Sequence, residues 1–139
     1  MSILLKPIGY VRHPETDIPV DLPRHWSMSS VEGDLEIFPD YLRGLQNIEA
    51  GQQIVVLFHF HQSAPFAGRH LIQRPPRHGK PTGVFSTCSP IRPNPLGLSV
   101  LTVLNITGNV IHVKGMDMRD GTPILDIKPH IEFGNKGTS

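Results

Sequence analysis

The chain has 139 residues and a net charge of +1, and is 38% apolar but only 18% charged, the size and composition of one domain able to bury its own core. A coiled-coil rod and a disordered chain are excluded, no apolar run approaches the ~18 residues of a membrane-spanning helix, and the single Cys88 rules out an intrachain disulfide framework or a thiolate zinc finger. Fourteen prolines and thirteen glycines, scattered along the chain, predict short strands and turns.

Residues 3–12, rich in Ile, Leu, Tyr and Val, predict a first strand, with Pro7 and Gly9 suited to an edge or a bulge. Residues 13–30 carry Pro14, Pro19 and Pro23 and predict a loop. Residues 31–38 alternate Val31, Leu35 and Ile37 with Glu32, Asp34 and Glu36, the pattern of a half-buried strand. Pro39 opens a short helix predicted over 39–48, with Leu42, Leu45 and Ile48 at helical spacing and Gly51 beyond its end. Residues 53–60 form the strongest strand of the first half, with Ile54, Val56, Phe58 and Phe60 on one face.

Residues 62–82 then predict a loop of about 20 residues, a length that in a compact domain usually signals function. This loop holds most of a cationic segment. Between Ala50 and Met116 there is no Asp or Glu, whereas Arg69, Arg74, Arg77, Lys80, Arg92 and Lys114 are all basic. Such asymmetry points to an anionic partner, nucleic acid or a phosphorylated ligand, or else to charges balanced in space by the acidic flanks. A short strand is predicted at 83–87, a hairpin from 98–106 and 110–118 around Gly108-Asn109, and a last strand at 124–127. The whole reads as a single, mainly β domain: a small β-barrel with one short helix.

Three constellations carry possible chemistry. His59 and His61, two apart on one strand, stand close enough to share a ligand, or simply end a strand at the surface; a metal would need a third ligand. Pro90, Pro93 and Pro95 stiffen the segment that presents Arg92 and Asn94, with Gly97 permitting close approach of a ligand or another backbone. Asp117 and Asp120 flank an Asp-Gly turn, commonly structural, but also able to grip hydroxyls or an ammonium group.

Taken together, Lys6-Pro7-Ile8-Gly9, Phe58-His59-Phe60-His61-Gln62, Arg74-Pro75-Pro76-Arg77, the stretch 83–99 and Asp120-Gly121-Thr122-Pro123-Ile124-Leu125-Asp126-Ile127-Lys128-Pro129 resemble the TsaA-like family, whose best-known members are the TrmO-type tRNA adenine-37 N6-methyltransferases. The likeness covers roughly residues 3–133 and leaves 134–139 as a frayed tail. It implies a cytoplasmic, homodimeric β-barrel methyltransferase that binds S-adenosyl-L-methionine and methylates threonylcarbamoyl-modified adenosine. The family's cofactor contacts would fall on His61, Gln62, Leu98, Asp117, Met118, Arg119 and Asp120, and in the earlier loop on Arg24. Arg69, Arg74, Arg77 and Lys80, with Arg92 and Asn94, would meet the substrate, His61 would take the proton lost from the amine, and no metal is assigned. One departure is Thr87-Cys88-Ser89, where many members carry an arginine between Thr and Ser. The same scaffold methylating a small molecule, or a non-enzymatic ligand- or metal-binding protein built on His59 and His61, are the competing readings.

Overall fold

In a computed structural model, which describes residues 1–13, 26–76 and 78–131, six antiparallel strands close on themselves. They are β1 (Gly9–Arg12), β2 (Glu32–Ile37), β3 (Gln53–His59), β6 (Leu96–Thr107), β7 (Val110–Lys114) and β8 (Pro123–Pro129), and the order around the barrel is β1-β2-β7-β6-β3-β8. Between β3 and β6 a two-stranded sheet pairs β4 (Ile72–Gln73) with β5 (Thr82–Gly83).

The alternation seen in the sequence settles which faces turn inward. Ile54, Val56 and Phe58 of β3 are buried while Val55, Leu57 and His59 are half-exposed; Leu35 and Ile37 of β2, Leu101 and Val103 of β6 and Ile111 and Val113 of β7 join them in one core. Breaks in register between Leu57 and Phe58, and between Val103 and Asn105, add the local bend and twist that help a short sheet curl closed. The β6–β7 hairpin turns at Gly108, whose φ of +59° suits the first central position of the two-residue turn expected there.

Several boundaries differ from expectation. The first strand begins at Gly9 rather than residue 3: Pro7 has no N–H to offer a ladder, and Ile3, Leu4 and Leu5 are exposed. The helix at Pro39–Leu45 is of the 3-10 type; Tyr41 and Leu42 face solvent, no side chain caps its start, and Gly44 weakens it, so little packing holds a full α-helix. The strand expected at 83–87 is only Thr82–Gly83, followed by a 3-10 turn, Val84–Ser86, because the Thr87 amide and hydroxyl both donate back to the Val84 carbonyl. The strand expected to reach 118 stops at Lys114, where Gly115 has φ +103° and the Gly115 and Met116 amides both turn to the Val31 carbonyl. The long basic loop is not structureless: it contains a 3-10 turn, Gly68–Leu71, and is pinched by the β4–β5 pair. The tail from 134 onward lies outside the described residues.

Candidate functional site

Three segments far apart in sequence meet at one end of the barrel. The tip of β3, residues 59–62, is tied to the proline-rich segment by the Phe60 amide, which donates to the Pro95 carbonyl at 2.8 Å. Gly97 lies directly opposite Phe58, and a Cβ built there would stand 2.2 Å from the ring, so this glycine admits an aromatic side chain of the protein itself. Phe58 and Phe60 then meet edge to face at 5.1 Å.

From the other side comes the bend after β7, residues 115–122. Arg119 Nη1 donates to Gln62 Oε1 at 3.0 Å, and a Cβ built on Gly121 would lie 4.0 Å from His61 Nε2. Met116 and Met118 are buried in the core beneath the bend. Between them, Asp117 Oδ1 accepts a 2.7 Å hydrogen bond from Ser99 Oγ. Asp120 Oδ1 accepts the His13 amide at 2.9 Å, the Gly121 amide donates to the Val11 carbonyl at 2.8 Å, and Thr122 Oγ1 donates to the Arg119 carbonyl at 2.6 Å. Ser29 Oγ donates to the Met116 carbonyl at 2.6 Å. The chain is therefore fastened to this bend at both His13 and Ser29, on either side of the segment that includes Arg24, itself outside the described residues.

The electrostatics at the tip favour a neutral imidazole. Partial burial, with His59 and the Arg119 guanidinium nearby, pushes the His61 pKa below its ordinary 6.5. At neutral pH the ring is then uncharged and able to accept a proton. Among the described residues no three His, Cys, Asp or Glu side chains are grouped to hold a metal, so His59 and His61 find no third ligand there.

The structure brings His61, Gln62, Asp117, Met118, Arg119 and Asp120 together, and sets other expected residues apart. Leu98 is on the outer face of β6, opposite Leu57 and 53% exposed. Arg92, expected to face a substrate, is half-buried; its Nη1 donates to the Thr87 and Ser89 carbonyls, each at 3.0 Å, and so braces the proline segment from within. Asn94 is exposed. Arg69, Arg74 and Lys80 are exposed on the basic segment, which Gln73 joins to the proline segment by donating to the His70 and Ile91 carbonyls; Arg77 lies outside the described residues. Sequence reasoning missed Ser99, Thr122 and the amide of His13; the one signal was a small polar residue, Ser99, at an inward-facing position of β6.

The family model for the tRNA-methyltransferase O N-terminal domain matches residues 13–135. A probable S-adenosyl-L-methionine-binding protein of Pyrococcus abyssi is 39% identical over 132 residues, which span 94% of this chain and 70% of that protein. The tRNA (adenine(37)-N6)-methyltransferase of Mus musculus is 36% identical over 137 residues, 94% of this chain but 31% of the mouse protein. The crystal structure of TrmO from Pseudomonas aeruginosa superposes with a TM-score of 0.72 at 28% identity, covering 98% of this chain and 59% of that one. This chain is thus comparable to a part of those longer proteins.

Proposed function

The chain belongs to the family of tRNA-methyltransferase O N-terminal domains, and from that premise we propose that it is an S-adenosyl-L-methionine-dependent methyltransferase acting on N6 of adenosine 37 in tRNA, the adenosine bearing a threonylcarbamoyl group. The observation that carries this is the meeting of the β3 tip, the proline segment and the acidic bend at one end of the barrel. The donor set suits the cofactor: the carboxylates of Asp117 and Asp120 complement its sulfonium and ammonium charges, and Arg119 complements its carboxylate.

When bound, the cofactor supplies a methyl group on a positively charged sulfur, ready for in-line displacement. The protein's contribution is then alignment and proton handling, since no nucleophilic side chain is needed. Asp117, Arg119 and Asp120 hold the ligand on a bend already tied down, and neutral His61 accepts the proton that the exocyclic amine loses on methylation. Arg69, Arg74 and Lys80 stand exposed on a segment without acids, where they would draw in the phosphates of the anticodon loop while the target base is splayed toward the tip. We take the protein to work in the cytoplasm as a homodimer, in which a second copy would cover exposed Phe85, Leu96 and Leu98.

The test is transfer of labelled methyl from S-adenosyl-L-methionine, with total tRNA from a strain lacking the activity and a metabolite extract supplied as parallel acceptors. Label in tRNA, located at adenosine 37, is the expected result. Label in the metabolite fraction alone would transfer the activity to a small acceptor. Calorimetry showing no cofactor binding up to millimolar concentration would remove the enzyme altogether.

A further inference from the structure

Among the described residues, the core contains three buried residues with polar side chains, His13, Ser99 and Thr122. All three make hydrogen bonds to the same short bend. Ser99, 0% exposed, points into the barrel opposite Val56, where an alanine would pack as well, and its hydroxyl donates to Asp117. Thr122, 3% exposed, donates both its hydroxyl and its amide to the Arg119 carbonyl. The His13 amide donates to Asp120. The bend is therefore held at residue 117 from inside the barrel, at 119 from within its own turn, and at 120 from the end of β1.

A hydroxyl in an apolar interior is costly unless it is bonded, and it specifies geometry when it is. The side chains that reach the β3 tip or stand ready for a ligand, Arg119 and Asp120, sit on the very stretch these bonds fix. We infer that Ser99 and Thr122 are positioning residues that hold the 117–120 bend in its binding conformation before the cofactor arrives. Neither touches the ligand; each acts through a residue that does, so binding need not order the bend. The inference rests on the cofactor reading given above and adds to it the residues responsible for preorganisation.

The test compares Ser99→Ala, Thr122→Val and Thr122→Ser with the wild-type chain. Calorimetry measures S-adenosyl-L-methionine affinity, and amide hydrogen exchange follows the bend and the strands separately. Ser99→Ala and Thr122→Val should each weaken binding by about tenfold, and the bend amides of Gly121 and Thr122 should exchange faster while the strands of the barrel keep their protection. Thr122→Ser, which keeps the hydroxyl, should bind within about twofold of wild type. Adding Ser99→Ala to Asp117→Ala should cost little more than Asp117→Ala alone, because truncating Asp117 already removes the acceptor of the Ser99 hydroxyl. Wild-type affinity in Ser99→Ala and Thr122→Val, or a loss that tracks a general fall in strand protection, would overturn the inference while leaving the cofactor reading intact. A wild-type chain that does not bind the cofactor would overturn both, and only that result touches the parent proposal.

Discussion

His61 is the residue on which the proposed chemistry turns. Its pKa lies below 6.5 because partial burial and the neighbouring His59 and Arg119 disfavour the imidazolium, so the base form persists to lower pH than in an ordinary histidine. We expect turnover to be flat near neutrality and to fall only on the acid side of 6.5, and His61→Ala to lower kcat by about 100-fold or more and abolish that acid limb; an unchanged pH profile in the variant would give the proton to another group. Asp120→Ala removes both a charge proposed to meet the ligand and the acceptor of the His13 amide, and should weaken cofactor binding by about tenfold or more in calorimetry, since such a bond to a charged group is lost. Away from the site, His112 is clamped between Asp34, at 2.5 Å from Nδ1, and Glu32, at 2.7 Å from Nε2. Hydrogen bonds to these two carboxylates raise its pKa above 6.5. A raised native pKa stabilises the fold fully below 6.5, and that contribution is lost as pH climbs through the native value. For an exposed cluster the effect is about 1 kcal/mol. The urea-stability difference between wild type and His112→Gln should thus be present near about pH 6 and vanish by about pH 9; a difference constant across that range would deny the clamp its charge.

At the scale of elements, the pairing of β3 with β6 does most to define the site end of the barrel. Phe58 fits because Gly97 leaves its ring room, and the same register delivers Pro95 to the Phe60 amide. Gly97→Ala would drive a Cβ into that ring and should destabilise the protein by about 1–3 kcal/mol in urea unfolding, the usual range for overpacking. If the variant unfolds at the wild-type midpoint, the ring is free to move and the contact is not a constraint. The strand itself was legible from the alternation of Ile54, Val56 and Phe58, and the hairpin from Gly108-Asn109, because strand period and turn chemistry are local properties. The helix after Pro39 was legible as a helix but not as a 3-10 one, since its type depends on how little of it the core covers. Arg92 was legible as a cation on a rigid segment, yet its inward turn to the Thr87 and Ser89 carbonyls depends on where those carbonyls point after folding.

On the scale of the whole molecule, the cationic middle of the chain supplies a long-range field that none of its residues provides alone. Arg74→Ala combined with Lys80→Ala should weaken RNA binding across sequences and flatten the slope of log affinity against log salt by about 1.4, the loss of two contacts to single-stranded phosphates. Equal affinity at low and high salt would detach that segment from the RNA surface. Ring closure is the other property of the whole: β8 completes the barrel between β1 and β3, and so brings the bend at 117–122 beside the tip at 59–62. The sequence by itself determined an antiparallel β domain, the faces its strands bury, its tight turns, and the motifs that mark its family, because periodicity and Gly/Pro chemistry act over a few residues. Only the tertiary structure decided that tip, proline segment and bend share one end, that Ser99 and Thr122 hold the bend, and that Arg92 serves the loop, because contacts between distant residues exist only once the sheet has closed.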